Sequence, residues 1–141
     1  MSNQDISTRV ILIRHGTTDW IEQGILHGCS DRPLSPFGLE QARLTGEAMK
    51  DTTAKQLFSS PLLRVMQTAQ AVADRTGLVP QPLDGLQEMD FGWMEGKKDL
   101  WPLLKDHKWA VNLYYDSRAV SGWFSGESLS HFRKRVLDTW A

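Results

Sequence analysis

A chain of 141 residues with 40% hydrophobic content has the size of one globular domain with an ordinary core. Its formal net charge of -1 lacks the basic surplus that nucleic acid or an anionic membrane calls for, so any anion site must be a local cluster. The single cysteine, Cys29, excludes an internal disulfide, and a polar start followed by no bilayer-length apolar run reads as cytoplasmic.

In chain order, Arg9 to Ile13 carries the run Val10-Ile11-Leu12-Ile13 without polar alternation. That is the pattern of an inner strand of a parallel sheet covered on both faces. The run gives out at Arg14-His15-Gly16-Thr17. A guanidinium fork, an imidazole and a residue without a side chain, at the carboxyl end of a strand, are the elements of a phosphate site. The following loop, 16–34, contains Gly24, Gly28 and Pro33, and loops of that length in compact domains are more often functional than idle. Ser35-Pro36 then supplies an N-cap and a proline at the first helical position, opening a helix with Leu39, Ala42, Gly46 and Met49 on one face.

Lys55 to Ser59 reads as a second strand, and Ser60-Pro61 repeats the cap-plus-proline signal. The next helix places Val65, Ala69, Val72 and Ala73 on one stripe and stops at Gly77. Leu78 to Leu83 is a third strand, confined to an edge by Pro80 and Pro82. Alternating strands and helices indicate an α/β domain with a mostly parallel sheet. Asp84 to Gly96 is loop-like, with three glycines and several carboxylates. A helical, Trp-rich insertion is expected over about 97–121, its helix from Lys97 to Tyr115 bearing Trp101 and Trp109 and capping one end of the sheet. After a turn at Gly122 to Gly126, a last helix from Glu127 to Trp140 is predicted to bury Leu129, Phe132, Val136 and Trp140. Residues 1–141 form a single domain in this reading.

Five blocks then carry a resemblance: Arg14-His15-Gly16-Thr17; Gly28 through Asp31 to Pro33-Leu34; Ser59-Ser60-Pro61 with Arg64 and Gln67-Thr68-Ala69; Leu86-Gln87-Glu88 with Phe91-Gly92 and Glu95-Gly96; and Gly126-Glu127-Ser128. In that order they resemble the histidine phosphatase superfamily, the phosphoglycerate mutase-like proteins. The resemblance implies a three-layer α/β/α fold with a mostly parallel sheet. It implies that His15 is a nucleophile that becomes a phosphohistidine, so its ring must be neutral in the empty site. Arg14 and Arg64 would clamp the phosphoryl oxygens, with Thr17 adding its hydroxyl and backbone amide. Glu88 would be the catalytic proton donor, with Asp90 and Glu95 as competing acids, and its pKa would be raised in a pocket dried by Phe91, Trp93 and the insertion. No metal or cofactor is implied, and the partner is a small phosphorylated molecule. His27, His107 and His131 read as solvated residues, and Cys29 as inert.

The pattern also departs from the family. Members carry a second catalytic histidine, followed by glycine, on a late strand between the first two, and this sequence does not reach that strand. Ile21 and Cys29 stand where asparagine and arginine are usual. The chain thus reads as C-terminally truncated: a fragment, or a domain that has rearranged or become a homo-oligomer. The Arg9–Ile13 strand would pair directly with Lys55–Ser59, or with a strand of another copy. The functional expectation is a metal-independent phosphomonoester hydrolase impaired by truncation, favoured by the phosphatase-type block from Glu88 to Gly96. The alternatives are mutase-type phosphoryl transfer and an inactive phosphate-binding or assembly remnant.

Overall fold

The computed structural model describes residues 8–98 and 126–140. Its first regular element is a one-turn helix, α1 (Asp19–Glu22), inside the long loop after His15. The Thr18 hydroxyl opens it by accepting from the Ile21 amide at 3.2 Å, because a serine or threonine oxygen at this position satisfies an otherwise orphaned N–H. The Ser35-Pro36 signal does open α2 (Pro36–Met49), with Ser35 Oγ accepting from the Gly38 amide at 3.1 Å. Its buried face is Gly38, Ala42 and Gly46. Leu39, expected on that face, is exposed. Small residues win the face because the facing backbone comes too close for a leucine.

Strand β1 (Leu57–Ser59) occupies the end of the predicted second strand. Helix α3 (Leu63–Thr76) follows, but Ser60 is not its cap. The Ser60 hydroxyl accepts from Leu62 N at 3.4 Å in a turn before the helix, and the amide of Leu63 is met by Asp31 Oδ1 at 2.6 Å. A loop carboxylate from far upstream thus takes the part that the local sequence assigned to serine. Gly77, with φ of +72°, closes the helix as expected. The buried stripe of α3 includes Ala69, Val72 and Ala73, and it also takes in Arg64 and Thr68.

Strand β2 (Pro80–Pro82) pairs with β1 in parallel, Leu57 opposite Pro80, Phe58 opposite Gln81 and Ser59 opposite Pro82. Ladder bonding alternates along a parallel strand, so the two prolines turn their missing N–H away, while the Leu83 amide donates to Ser59 O at 2.8 Å. Helix α3 packs against both strands and against α2, and the core between them is made of Leu34, Ala42, Leu62, Ala69, Val72, Ala73 and Met89. The architecture is α/β.

Arg9 to Ile13 is the main correction. Among the described residues no strand is assigned there, direct pairing with β1 is absent, and Val10, Ile11 and Leu12 are 52%, 42% and 83% exposed. A β-branched run favours extended backbone, but a ladder needs a neighbour along the edge, and no described residue supplies one.

Downstream, 3-10 turns at Asp84–Leu86 and Gly92–Met94 shape the predicted loop. Most of the predicted insertion lies outside the described residues. Lys98, near its start, instead forms an antiparallel bridge with Ile25. Helix α4 (Leu129–Trp140) packs against the Asp84–Leu86 turn. Phe132 and Val136 are half-buried as part of a stripe completed by Arg135 and Thr139. Leu129 and Trp140, predicted to be buried, are exposed, since the polar pair at 135 and 139 fixes which face turns inward.

One consequence concerns α2. A Cβ at Gly38 would collide with the Thr17 carbonyl oxygen and lie 2.9 Å from its carbon and 3.0 Å from its nitrogen. Gly38→Ala is therefore expected to cost about 2 kcal/mol, as overpacked sites do. Urea unfolding should show a lower midpoint at unchanged slope.

Candidate active site

The chain between Ile13 and Thr18 is tied down by polar contacts rather than by a ladder. The Gly16 amide donates to Thr68 Oγ1 at 3.1 Å, and the Thr17 amide donates to Gln41 Oε1 at 2.8 Å. These bonds dock the segment on the start of α2 and on α3. They also correct one expectation, since the Thr17 amide already has a partner within the chain.

His15 Nδ1 lies 2.7 Å from the Gly16 carbonyl oxygen, which can only accept, so Nδ1 carries the proton. Nε2 is then the nitrogen with the lone pair. Toward it points Arg64, whose Nε–H donates at 3.3 Å. Burial lowers the His15 pKa from 6.5; the Gly16 carbonyl opposes this, Arg64 and Arg14 add to it, and Glu88 works against it. The ring is neutral at pH 7.

Arg64 is 1% exposed, and its position has a visible cause. The remaining arms of its guanidinium donate to Ser30 O at 3.0 Å and Gly28 O at 2.8 Å. Those carbonyls are themselves fixed, because the Glu95 carboxylate accepts from Cys29 N and Ser30 N at 2.7 Å each, from Ser30 Oγ at 2.5 Å, and from Phe91 N at 3.1 Å. Gly28, with φ of +54°, lets the loop pass against that carboxylate where any Cβ would strike it. Glu95 thus leaves the contest with Glu88: its oxygens are taken up in holding the arginine's cradle. Only the spacing of Glu95 among backbone donors could have revealed this, and the donors at Cys29 and Ser30 lie some 65 residues away in sequence.

The other predicted residues are placed more loosely. Arg14 is exposed and reaches His15 through its field rather than by contact. Glu88 is also exposed, its Oε1 accepting from the Met89 amide at 2.9 Å, while its charge acts on both His15 and Arg64. The dried pocket expected around it is therefore not found among the described residues, and Trp93, one of its expected walls, is 46% exposed. His27 is a further correction. Far from solvated, it is 9% exposed, with Nε2 2.6 Å from the buried Thr18 hydroxyl and its ring tilted against Trp20. Burial and the Arg64 charge lower its pKa. Cys29 matches the expectation of inertness: burial and the charges of Glu95 and Asp90 push its thiol up to about 11, and Sγ donates to Glu88 O at 3.0 Å. His131 lies exposed on α4, 2.9 Å from Glu127. No three His, Cys, Asp or Glu side chains gather as a metal site among the described residues. None of the described helices is long and apolar enough to cross a membrane.

This geometry can be set against known proteins. The model of histidine phosphatase superfamily branch 1 matches residues 10–141. The chain belongs to the histidine phosphatase superfamily. It is 33% identical over 128 residues to a protein named as a phosphoserine phosphatase in Hydrogenobacter thermophilus, covering 91% of this chain and 63% of that one. The chain thus spans less than two thirds of that relative's length. Among solved structures, TTHB049 from Thermus thermophilus superposes with a TM-score of 0.68 at 35% identity, covering 91% of this chain and 68% of that one. A phosphoglycerate mutase from Bacillus anthracis superposes with a TM-score of 0.72 at 25% identity, covering 88% and 62%. The fold is accordingly phosphoglycerate mutase-like, and the matched range contains both His15 and Arg64, which meet in the structure.

Proposed function

We propose that this chain acts on small phosphomonoesters, hydrolysing them through a phosphohistidine on His15. The observation that carries this reading is the pairing at the centre of the site: a neutral imidazole whose Nε2 lone pair is directed at a buried, loop-braced arginine. Nε2 attacks phosphorus, and the bond from phosphorus to the ester oxygen breaks. The departing oxygen keeps the electron pair and takes a proton from the Glu88 carboxyl group. Water then attacks the phosphohistidine, giving a proton back to Glu88 and releasing phosphate and free His15. Arg64, and Arg14 at longer range, offset the charge on the phosphoryl oxygens throughout.

The names of the relatives divide between phosphatase and mutase, and the block from Glu88 to Gly96 favours the phosphatase. The exposure of Glu88 and of the Arg9–Ile13 segment favours a second reading, a phosphate-binding domain with little turnover. An aryl phosphomonoester assay separates the two, run with and without a chelator. The expected result is metal-independent turnover, and its pH profile has a definite sign. Because the His15 pKa is lowered from 6.5, the nucleophile stays neutral as pH falls through that value, and the acid limb of kcat/KM should lie below it. An acid limb above 6.5, or loss of activity on chelation, would count against the proposed chemistry.

A further inference from the structure

The residue that the proposed mechanism does not use is Arg135, on α4, and it is the most thoroughly bonded side chain of the described residues. All five of its N–H groups are placed. Nε and one terminal nitrogen donate to the two oxygens of Glu127 at 2.7 Å each. The other terminal nitrogen donates to Gly85 O at 3.0 Å and Gln87 O at 2.8 Å, and the first donates also to Glu88 O at 2.9 Å. One guanidinium therefore holds three carbonyls of the four-residue segment that ends at Glu88.

Glu127 in turn is bound into the same segment, since its own amide donates to Asp90 O at 2.7 Å. Its side chain is 7% exposed. Burial works against its carboxylate, but the hydrogen bonds and charge of Arg135 outweigh this and hold its pKa below the usual range. A bidentate pair of this kind fixes direction as well as distance, which a lysine could not do. On the other side, Cys29 Sγ donates to the same Glu88 carbonyl, and Met89 is buried in the core. The backbone of Glu88 is thus clamped between α4 and the loop that cradles Arg64, although its side chain stands in solvent.

We propose that Arg135, oriented by Glu127, is a positioning residue that sets where the Glu88 carboxyl group stands relative to His15. The inference rests on the reading of Glu88 as proton donor. It concerns the placement of that donor and not the nucleophile, so it separates two kinds of substrate. An alkyl phosphate needs a proton on its leaving oxygen, whereas para-nitrophenyl phosphate expels a phenolate that is stable without one.

The test measures kcat and KM for both substrates with the full chain and with Arg135→Met, Glu127→Gln and Glu88→Gln. In Arg135→Met, alkyl phosphate kcat/KM is expected to fall about 100-fold while aryl phosphate kcat/KM stays within about threefold, the signature of a misplaced proton donor, since kcat/KM reports the transfer to His15 and leaves out the hydrolysis step that both substrates share. Glu127→Gln, which keeps one oxygen acceptor, should show the same selectivity at smaller size, and it serves as the readout if Arg135→Met does not fold. Equal losses on both substrates, or no loss on either, while Glu88→Gln remains selective, would overturn the positioning role and leave the acid assignment standing. A Glu88→Gln variant without selectivity, or no turnover of either substrate by the unaltered chain, would instead overturn the mechanism beneath it.

Discussion

Replacing His15 by alanine is expected to take phosphomonoester turnover to background, a loss on the order of 10⁵- to 10⁶-fold as seen when a covalent nucleophile is removed. The fold should survive, since among the described residues the ring's hydrogen-bond partners are the neighbouring Gly16 carbonyl and Arg64. The same variant should fail to trap phosphate. The unaltered chain, quenched during turnover of a radiolabelled substrate, should carry an acid-labile, base-stable adduct that maps to His15. Turnover that persists in His15→Ala would assign the chemistry to another group.

Arg64→Lys should injure both activity and stability. A lysine keeps the charge but not the fork, so it cannot face His15 and hold Ser30 O and Gly28 O together. Loss of one preorganised electrostatic donor lowers kcat/KM by about 100- to 1000-fold. The Gly28 carbonyl, buried, and the Ser30 carbonyl, half-buried, are left without a full set of partners and add a destabilisation of about 1–3 kcal/mol. Steady-state kinetics and urea unfolding measure the two effects on one sample. A variant that loses activity but keeps its unfolding midpoint would show that the loop carbonyls do not depend on the arginine.

How much of this was legible in the sequence depended on range. Ser35-Pro36 and Gly77 were readable because capping is settled within three or four residues by the chain itself. That His15 and Arg64 come together was readable because they sit in blocks whose chemistry is distinctive. Ser60 misled because the amide it seemed destined to cap is met by Asp31 from a distant loop. Arg9 to Ile13 misled for a related reason: periodicity reports what a segment could bury, whereas a strand also requires a neighbour that its own residues cannot specify. Glu95 was read only as an acid competing with Glu88, and Arg135 was passed over, because each acts on backbone carbonyls and amides, and a main-chain partner leaves no mark on residue types. The site's frame was therefore the hidden part, and its reactive groups the visible one.

The contact between Arg64 and His15 has a bearing on what the empty protein will tolerate. With a guanidinium N–H resting on the imidazole lone pair, that nitrogen is unattractive to a metal cation, which would meet fixed positive charge at the point of coordination. An uncharged alkylating agent fares little better, having nothing to offer the arginine in exchange. A molecule bearing several negative oxygens does, because it can draw the N–H onto itself and leave the lone pair bare. The resting protein thus keeps the His15 lone pair covered by a group that an anion can draw away.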